Sequence, residues 1–440
     1  MVMRTYISWL GCCLLALGGS SCQPKEPNLI PLSPDPALAV LSVYSAAAGQ
    51  ASLVLEVKGF PDAEEGGVAW AETPDPTVDQ EHQAFYSDTS PRSVTVEGLQ
   101  PGRNYYFRAY VRTGSEVQYS DNRLLRHQSP FRWSPRNPLV LSEGNYTVSS
   151  IFKDDILYVV RPVDEVHTEV WTYFAQGDAW IQRPDLPLAN VRYDPYLFLF
   201  YQENLPQFLY YGGGYYLDES TVEKIQYRND LWQYPPYGGY STPFGPPDLV
   251  PSRIPVRDGP TAHFSLRAQA VVVNAQLPRS VWSFNGEKWT SYADFPDTTP
   301  GQLVAAACDT TGYLLVESDD PTAPIHLWRY DEATDSWTRL ADFPGAWRRG
   351  GITFSHGGKV YYGLGEASTP RGGLYDLWQY DVQTNQWHFF ADYPGAGQLK
   401  VIANVFEGRA YLGLGYRTAQ QPNGAFKYVH ASDFWQLSLE

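Results

Sequence analysis

Apolar and polar residues alternate one by one in short runs through the first third of the chain. Ser52-Leu53-Val54-Leu55-Glu56-Val57 and Ser93-Val94-Thr95-Val96 follow this rule, and Tyr105-Tyr106-Phe107-Arg108-Ala109-Tyr110-Val111 puts Tyr105, Phe107, Ala109 and Val111 on one face. A period of two is that of a half-buried strand, and about ninety residues of such strands predict a small two-sheet sandwich. Past Ser129 the pattern becomes a repeated tryptophan clause. His326-Leu327-Trp328-Arg329-Tyr330 is followed by Trp337 and Ala341-Asp342-Phe343-Pro344, and Asp376-Leu377-Trp378-Gln379-Tyr380 by Trp387 and Ala391-Asp392-Tyr393-Pro394. No long amphipathic helical stretch interrupts either region.

Six clauses are present, with first tryptophans Trp171, Trp232, Trp282, Trp328, Trp378 and Trp435. A second tryptophan follows seven to nine residues later in four of them, as Trp180, Trp289, Trp337 and Trp387. Units of about fifty residues, each holding four short strands, predict a β-propeller, because one such sheet cannot bury both faces alone. The last clause, Asp433-Phe434-Trp435-Gln436-Leu437, runs into the end of the sequence without its second tryptophan strand. Phe131-Arg132-Trp133-Ser134-Pro135 supplies a matching strand at the start of the region, so Trp133 is expected beside Trp435 in a ring of six blades with no free sheet edge.

The units resemble kelch repeats. Gly363-Leu364-Gly365, Gly413-Leu414-Gly415 and Gly212-Gly213-Gly214 stand where the kelch double glycine belongs, while units three and four carry Val271-Val272-Val273-Asn274 and Leu314-Leu315-Val316-Glu317 there. In the earlier region, Leu99-Gln100-Pro101-Gly102-Arg103-Asn104-Tyr105 resembles the turn and tyrosine corner of a fibronectin type III domain, with Tyr105 bonding back to the preceding turn. Gly66-Gly67-Val68-Ala69-Trp70 followed by Thr73-Pro74-Asp75-Pro76-Thr77 is similar to the version of that domain found in surface proteins of Bacteroidetes. These resemblances imply an all-β chain: a fibronectin type III-like sandwich over 37–128, a spacer or adhesion module in exported bacterial proteins, then a six-bladed kelch-type propeller over 129–440.

Composition agrees with this class. Fifteen per cent aromatic residues, 37 Gly and 35 Pro among 440 residues suit many short strands joined by tight turns. The net charge of -16 argues against phosphate backbones as partners, so no nucleic acid is expected.

Residues 1–21 read as a secretory leader: Arg4, an apolar run from Tyr6 to Leu17, then Gly18-Gly19-Ser20-Ser21 before Cys22. Small residues ahead of a cysteine resemble a bacterial lipoprotein cleavage site, which implies acylation of Cys22 and a cell-envelope, outer-membrane location; a plain leader cleaved after Ser21 is the alternative. Residues 22–36, rich in Pro and polar groups, suit a tether. Cys12 and Cys13 leave with the leader, so Cys308, in an apolar strand, is expected to be a small buried hydrophobe without a disulfide partner.

Aligning the units places Tyr146, Arg192, His263, Gln302, Arg349 and Lys400 near the starts of the innermost strands, with Trp347 and Arg348 just ahead. In an acidic protein these cations could receive a carboxylate or sulfate, or be loop residues paired with nearby Asp. Unit two is longer by Tyr215-Tyr216-Leu217-Asp218-Glu219-Ser220-Thr221-Val222-Glu223-Lys224-Ile225-Gln226-Tyr227, whose tyrosines, Tyr216 among them, suit stacking on sugar rings or packing in their own loop. Copper chemistry of the galactose oxidase type is disfavoured, because His167, His263, His326, His356, His388 and His430 form no close pair. No metal or cofactor motif is present. The expected role is a noncatalytic binding or scaffold protein for a glycan or an envelope protein, held at the membrane through Cys22. A sugar epimerase or mutarotase using Glu366 or Glu143 beside Arg349 is the alternative.

Overall fold

The computed structural model describes residues 37–440 apart from 86–90, 128–131, 143–147, 165–166, 185–191, 201–207, 218–224, 235–247, 250–253, 256–260, 368–372 and 421–425. The leader, the tether with Cys22, and Tyr146 lie outside the described residues. Among the described residues there is no helix; the chain is all-β, in many small antiparallel sheets.

Eight strands form the first region: β1 (Ala37–Ala47), β2 (Gln50–Lys58), β3 (Glu65–Ala71), β4 (Glu81–Phe85), β5 (Arg92–Glu97), β6 (Arg103–Thr113), β7 (Glu116–Tyr119) and β8 (Arg123–His127). One sheet has the order β1-β2-β5, the other β4-β3-β6-β7 with β8 also on β6. Their inner faces share a core of Val43, Leu53, Leu55, Val68, Val96, Phe107 and Ala109, which are the residues the two-residue period turns inward. Trp70, half-buried, packs against that core. The Tyr105 hydroxyl accepts the Gln100 N–H at 2.9 Å, tying β6 to the turn before it.

Six four-stranded sheets follow among the described residues. Their first strands are Ser149–Lys153, Tyr196–Phe198, Thr261–Ser265, Gly301–Cys308, Ile352–His356 and Ile402–Phe406. Each first strand lies beside the next, and the sixth beside the first, so the sheets close a circle. The sixth sheet takes its outer strand from β9 (Trp133–Arg136), which pairs with Phe434–Ser438 in a register that sets Trp133 opposite Leu437 and Pro135 opposite Trp435. The arrangement fits a propeller joined to a sandwich.

Two devices recur around the circle. Where a second strand ends in Gly363, an added Cβ would collide with the Asp376 carbonyl oxygen of the neighbouring strand, so the residue must be glycine. The fourth sheet has Glu317 near this end, and its buried carboxylate instead accepts the Gly350 and Gly351 N–H groups of the fifth sheet's entry loop, both at 2.9 Å. The second tryptophans act as latches. Trp180, Trp337 and Trp387 donate their indole N–H to the carbonyls of Asn137, Ala293 and Ala341, each just beyond the preceding sheet's outer strand. Asp178, Asp335 and Asn385, in left-handed turns, accept the N–H of the same three residues. Because Asn137 follows β9, the first latch also secures the closure.

The sandwich sits directly on the fifth and sixth ring sheets. Buried Arg123 donates to the Tyr393 and Gly395 carbonyls at 2.9 Å and covers the Tyr375 ring at 3.1 Å. Arg126 pairs with Asp392, and Arg417 with fully buried Glu56 at 2.6 Å. Leu41 meets Ala396 and Ala431 in a small apolar seam.

Candidate functional site

The first strand of each ring sheet starts, and its second strand ends, at the same edge of the sheet. That edge forms one mouth of the circle. Tyr193, Arg349 and Leu399 form single bridges to Tyr215, Glu366 and Tyr416, which extends the second, fifth and sixth sheets toward it. The next residue in each case, Asp194, Gly350 or Lys400, has φ of 46°, 65° or 50°. Asp194 and Lys400, from sheets separated by the first one, meet across the mouth at 3.7 Å, both about half exposed.

His263 lies in the first strand of the third sheet, its ring 5.1 Å from that of Tyr196 and 5.5 Å from that of Phe198. Burial pushes its pKa down to about 4, against the pull of Asp194, so the imidazole is neutral near pH 7. Arg349 is nearly half exposed; it pairs with Asp319 at 2.5 Å and lies over the Trp347 ring. Trp347 is fixed by its indole N–H on the Ser318 carbonyl at 2.8 Å. Gln302 is exposed at the start of the fourth sheet's first strand. Tyr216 belongs to a short hairpin, Tyr215–Leu217 with Ile225–Tyr227, and Arg228 covers its ring at 4.6 Å. A second hairpin, Tyr416–Gln420 with Phe426–His430, rises from the sixth sheet, and the exposed side chains Tyr227 and Tyr428 stand one on each.

Two residues expected at the mouth do something else. Arg192 and Arg348 are fully buried, each four residues ahead of its first strand. Arg192 forks onto Asp230 at 2.9 and 3.0 Å, and Arg348 onto Asp376 at 3.1 and 2.9 Å. Each carboxylate also accepts the indole N–H two residues on, from Trp232 or Trp378, at 2.6 Å. These arginines are clamps within a sheet, and their charge is neutralised before any ligand arrives. In the fourth sheet the acid stands on the other side of the pair. There Asp297 takes the arginine's place, accepting His326 Nδ1 at 2.7 Å and Trp328 Nε1 at 2.8 Å. Its carboxyl is lowered to about 2: burial opposes this, but hydrogen bonds from Thr299, His326 and Trp328 outweigh it. In the sixth sheet Gln398 replaces the arginine and leaves Asp433 with Trp435, the Tyr393 hydroxyl and the Ala396 N–H.

The structure thus brings Lys400 and His263 around Asp194, which the sequence reading missed, and places Arg349 with Trp347 on another part of the rim. Asp194 carried one sequence signal: it is an acidic residue two before an inner strand, the same offset as Lys400. Among the described residues no group of three or more His, Cys, Asp or Glu is gathered as a metal would need, and Cys308 is a half-buried free thiol. No described helix is long and apolar enough to cross a membrane.

No family model matches the chain, and no curated protein matches it. Solved structures do, in 336 chains; a fold so widely shared does not choose a function. One of them, "Structure of YjhT", has a TM-score of 0.50 and 12% identity, and the match covers 67% of this chain and 96% of that one. At that identity the likeness concerns the fold alone, and the fold to which it points is of the propeller type.

Proposed function

We propose that this chain is an exported, lipid-anchored binding or scaffold protein that recognises a glycan or an envelope protein partner through the mouth of the ring. In this reading residues 129–440 are a six-bladed kelch-type propeller, residues 37–128 a fibronectin type III-like domain, and Cys22 the lipidated residue of an envelope protein. The circle of six sheets and the Tyr105 corner support the two domain assignments. The anchor rests on the leader sequence.

One observation carries the binding role. The cations divide into two kinds: Arg192 and Arg348 are sealed in buried pairs, whereas Arg349 and Lys400 hold exposed pairs with Asp319 and Asp194. Exposed pairs contribute about 0–1 kcal/mol, so an incoming carboxylate or hydroxyl cluster can displace them at little cost. Exposed Tyr227 and Tyr428 offer flat faces for sugar rings or side chains.

Glycan arrays and envelope pull-downs with the full chain test this. The Arg349→Ala/Lys400→Ala variant is expected to bind at least about tenfold more weakly, a change of about 1.4 kcal/mol. Undiminished binding would remove the mouth from the account. A sugar epimerase or mutarotase is favoured by one contact: Glu366 is held beside Arg349 by paired backbone bonds of 3.0 and 2.9 Å. NMR of anomer exchange with common hexoses separates the two, since a binding protein leaves the exchange rate unchanged.

A further inference from the structure

Away from the mouth, the outer face of the β1-β2-β5 sheet does not close fully on the ring. It leaves a cleft of about 410 Å³ where that face meets β9, the start of the sixth sheet's third strand and the Asp178 turn. The size falls within the range of ligand pockets, and pockets favour domain interfaces.

The sheet contributes two rows of side chains to this cleft. Register sets Tyr44 opposite Ser52 and Ser52 opposite Thr95; the next row is Ser42, Val54 and Ser93. Neighbours across strands stand about 5 Å apart, so the face carries four small hydroxyls around Val54, with one ring at its corner. That ring, Tyr44, meets the Trp435 indole edge-on at 5.0 Å and gives the cleft an aromatic wall. On the ring side stand Arg136 and Asn137. The cleft's two carboxylates are already engaged: Asp178 accepts the Asn137 N–H and the Tyr173 hydroxyl, and Asp433 accepts Trp435 and Tyr393.

Two polar groups on this lining lack partners among the described residues. Ser42 Oγ is buried, with its residue 1% exposed, and makes no hydrogen bond; Arg136 Nε is buried and makes none either. The Arg136 guanidinium acts electrostatically on the Tyr173 and Tyr411 hydroxyls. Leaving a buried hydroxyl and a guanidinium nitrogen unmatched is unfavourable, and a polar occupant that reaches them would recover that loss. An apolar occupant would not, and an anion would find Arg136 as its partner while the acceptor atoms of Asp178 and Asp433 are held by donors of their own. A polyhydroxylated anion matches hydroxyl rows, aromatic wall and guanidinium together.

We propose that this cleft is a second binding site, taking a sugar acid, free or at the end of a glycan chain, with its hydroxyls on the serine and threonine rows and its carboxylate on Arg136. The site is separate from the mouth, and neither depends on the other.

Calorimetric titration of the full chain with D-glucuronate, a glucuronate-terminated disaccharide and D-glucose tests it. Saturable binding of at least one acidic probe is expected, about tenfold or more tighter than glucose; a preference for the disaccharide identifies a glycan end as the source. Ser93→Trp, an exposed position that fills the cleft, should abolish binding, and Thr95→Val should weaken it severalfold. Both variants are to be checked for an unchanged unfolding temperature; should Ser93→Trp fail to fold, Thr95→Val decides alone. No saturable binding of any probe, equal binding of glucose and glucuronate, or binding that survives these substitutions would overturn the proposal and leave a water-filled seam.

Discussion

The fifth and sixth ring sheets place the same carboxylate in the same position with opposite results. Asp376 and Asp433 each accept the indole N–H of a tryptophan two residues on; Asp433 is buried and Asp376 partly so. Asp376 is held below the usual carboxylate range, because the forked Arg348 guanidinium overcomes burial. Asp433, with Gln398 in the arginine's place, is pushed up: burial wins over four hydrogen bonds. Nearby positive charge comes from the sandwich, whose buried Arg123 is itself stabilised by Asp433 and Asp392. A repeat position is thus kept for its geometry, while its charge depends on whether a guanidinium is forked onto it.

Breaking the paired carboxylate should have the largest effect. Asp376→Asn leaves the Arg348 guanidinium buried without a counter-charge and should destabilise the chain by about 3–5 kcal/mol in denaturant unfolding. A loss below about 1 kcal/mol would show that the clamp is dispensable. Asp297→Asn in the reversed clamp should cost about 2 kcal/mol near neutral pH, because a carboxyl lowered to about 2 adds stability above pH 4 that is lost as pH falls toward 2. Stability measured between pH 5 and 2 should therefore be flatter in the variant than in the parent. Asp433→Asn should change stability least, by under about 1 kcal/mol, since that carboxyl is raised and its neutral form is already favoured by burial. The sign reverses here: what Asp433 contributes is greatest at low pH and fades as pH rises through its folded value, so the variant gains on the parent as pH increases. If Asp433→Asn cost as much as Asp376→Asn, the contrast between the two sheets would be lost.

Much of the strand layout was legible because burial periodicity is local. Tyr105, Phe107, Ala109 and Val111 face inward as the alternation requires, and each first tryptophan falls on the third strand of its sheet. Trp133 and Trp435 ended on paired strands because an unpaired edge must find a partner. The site was less legible. Arg192 and Arg348 look like surface cations in a polar loop, and only the return of Asp230 and Asp376 from 38 and 28 residues away shows that their charge is used internally. Lys400 and Arg349 sit two or three residues ahead of their strands, where His263 and Gln302 lie inside theirs, so aligning the units by sequence mixed two layers of the rim. The tight packing of sandwich on ring had no sequence signal, since Arg123, Arg126 and Glu56 are ordinary charged residues of exposed-looking strands.

By itself the sequence determined what depends on neighbours along the chain: the two-residue period, the tryptophan clause, the turn residues and the outer strand missing from the final unit. Tertiary structure alone decided which charges face each other, because an ion pair is set by distance through space and by the water excluded around it. Whether a guanidinium is a clamp, as at Arg348, or an open contact, as at Arg349 one residue later, follows from burial that no local pattern encodes.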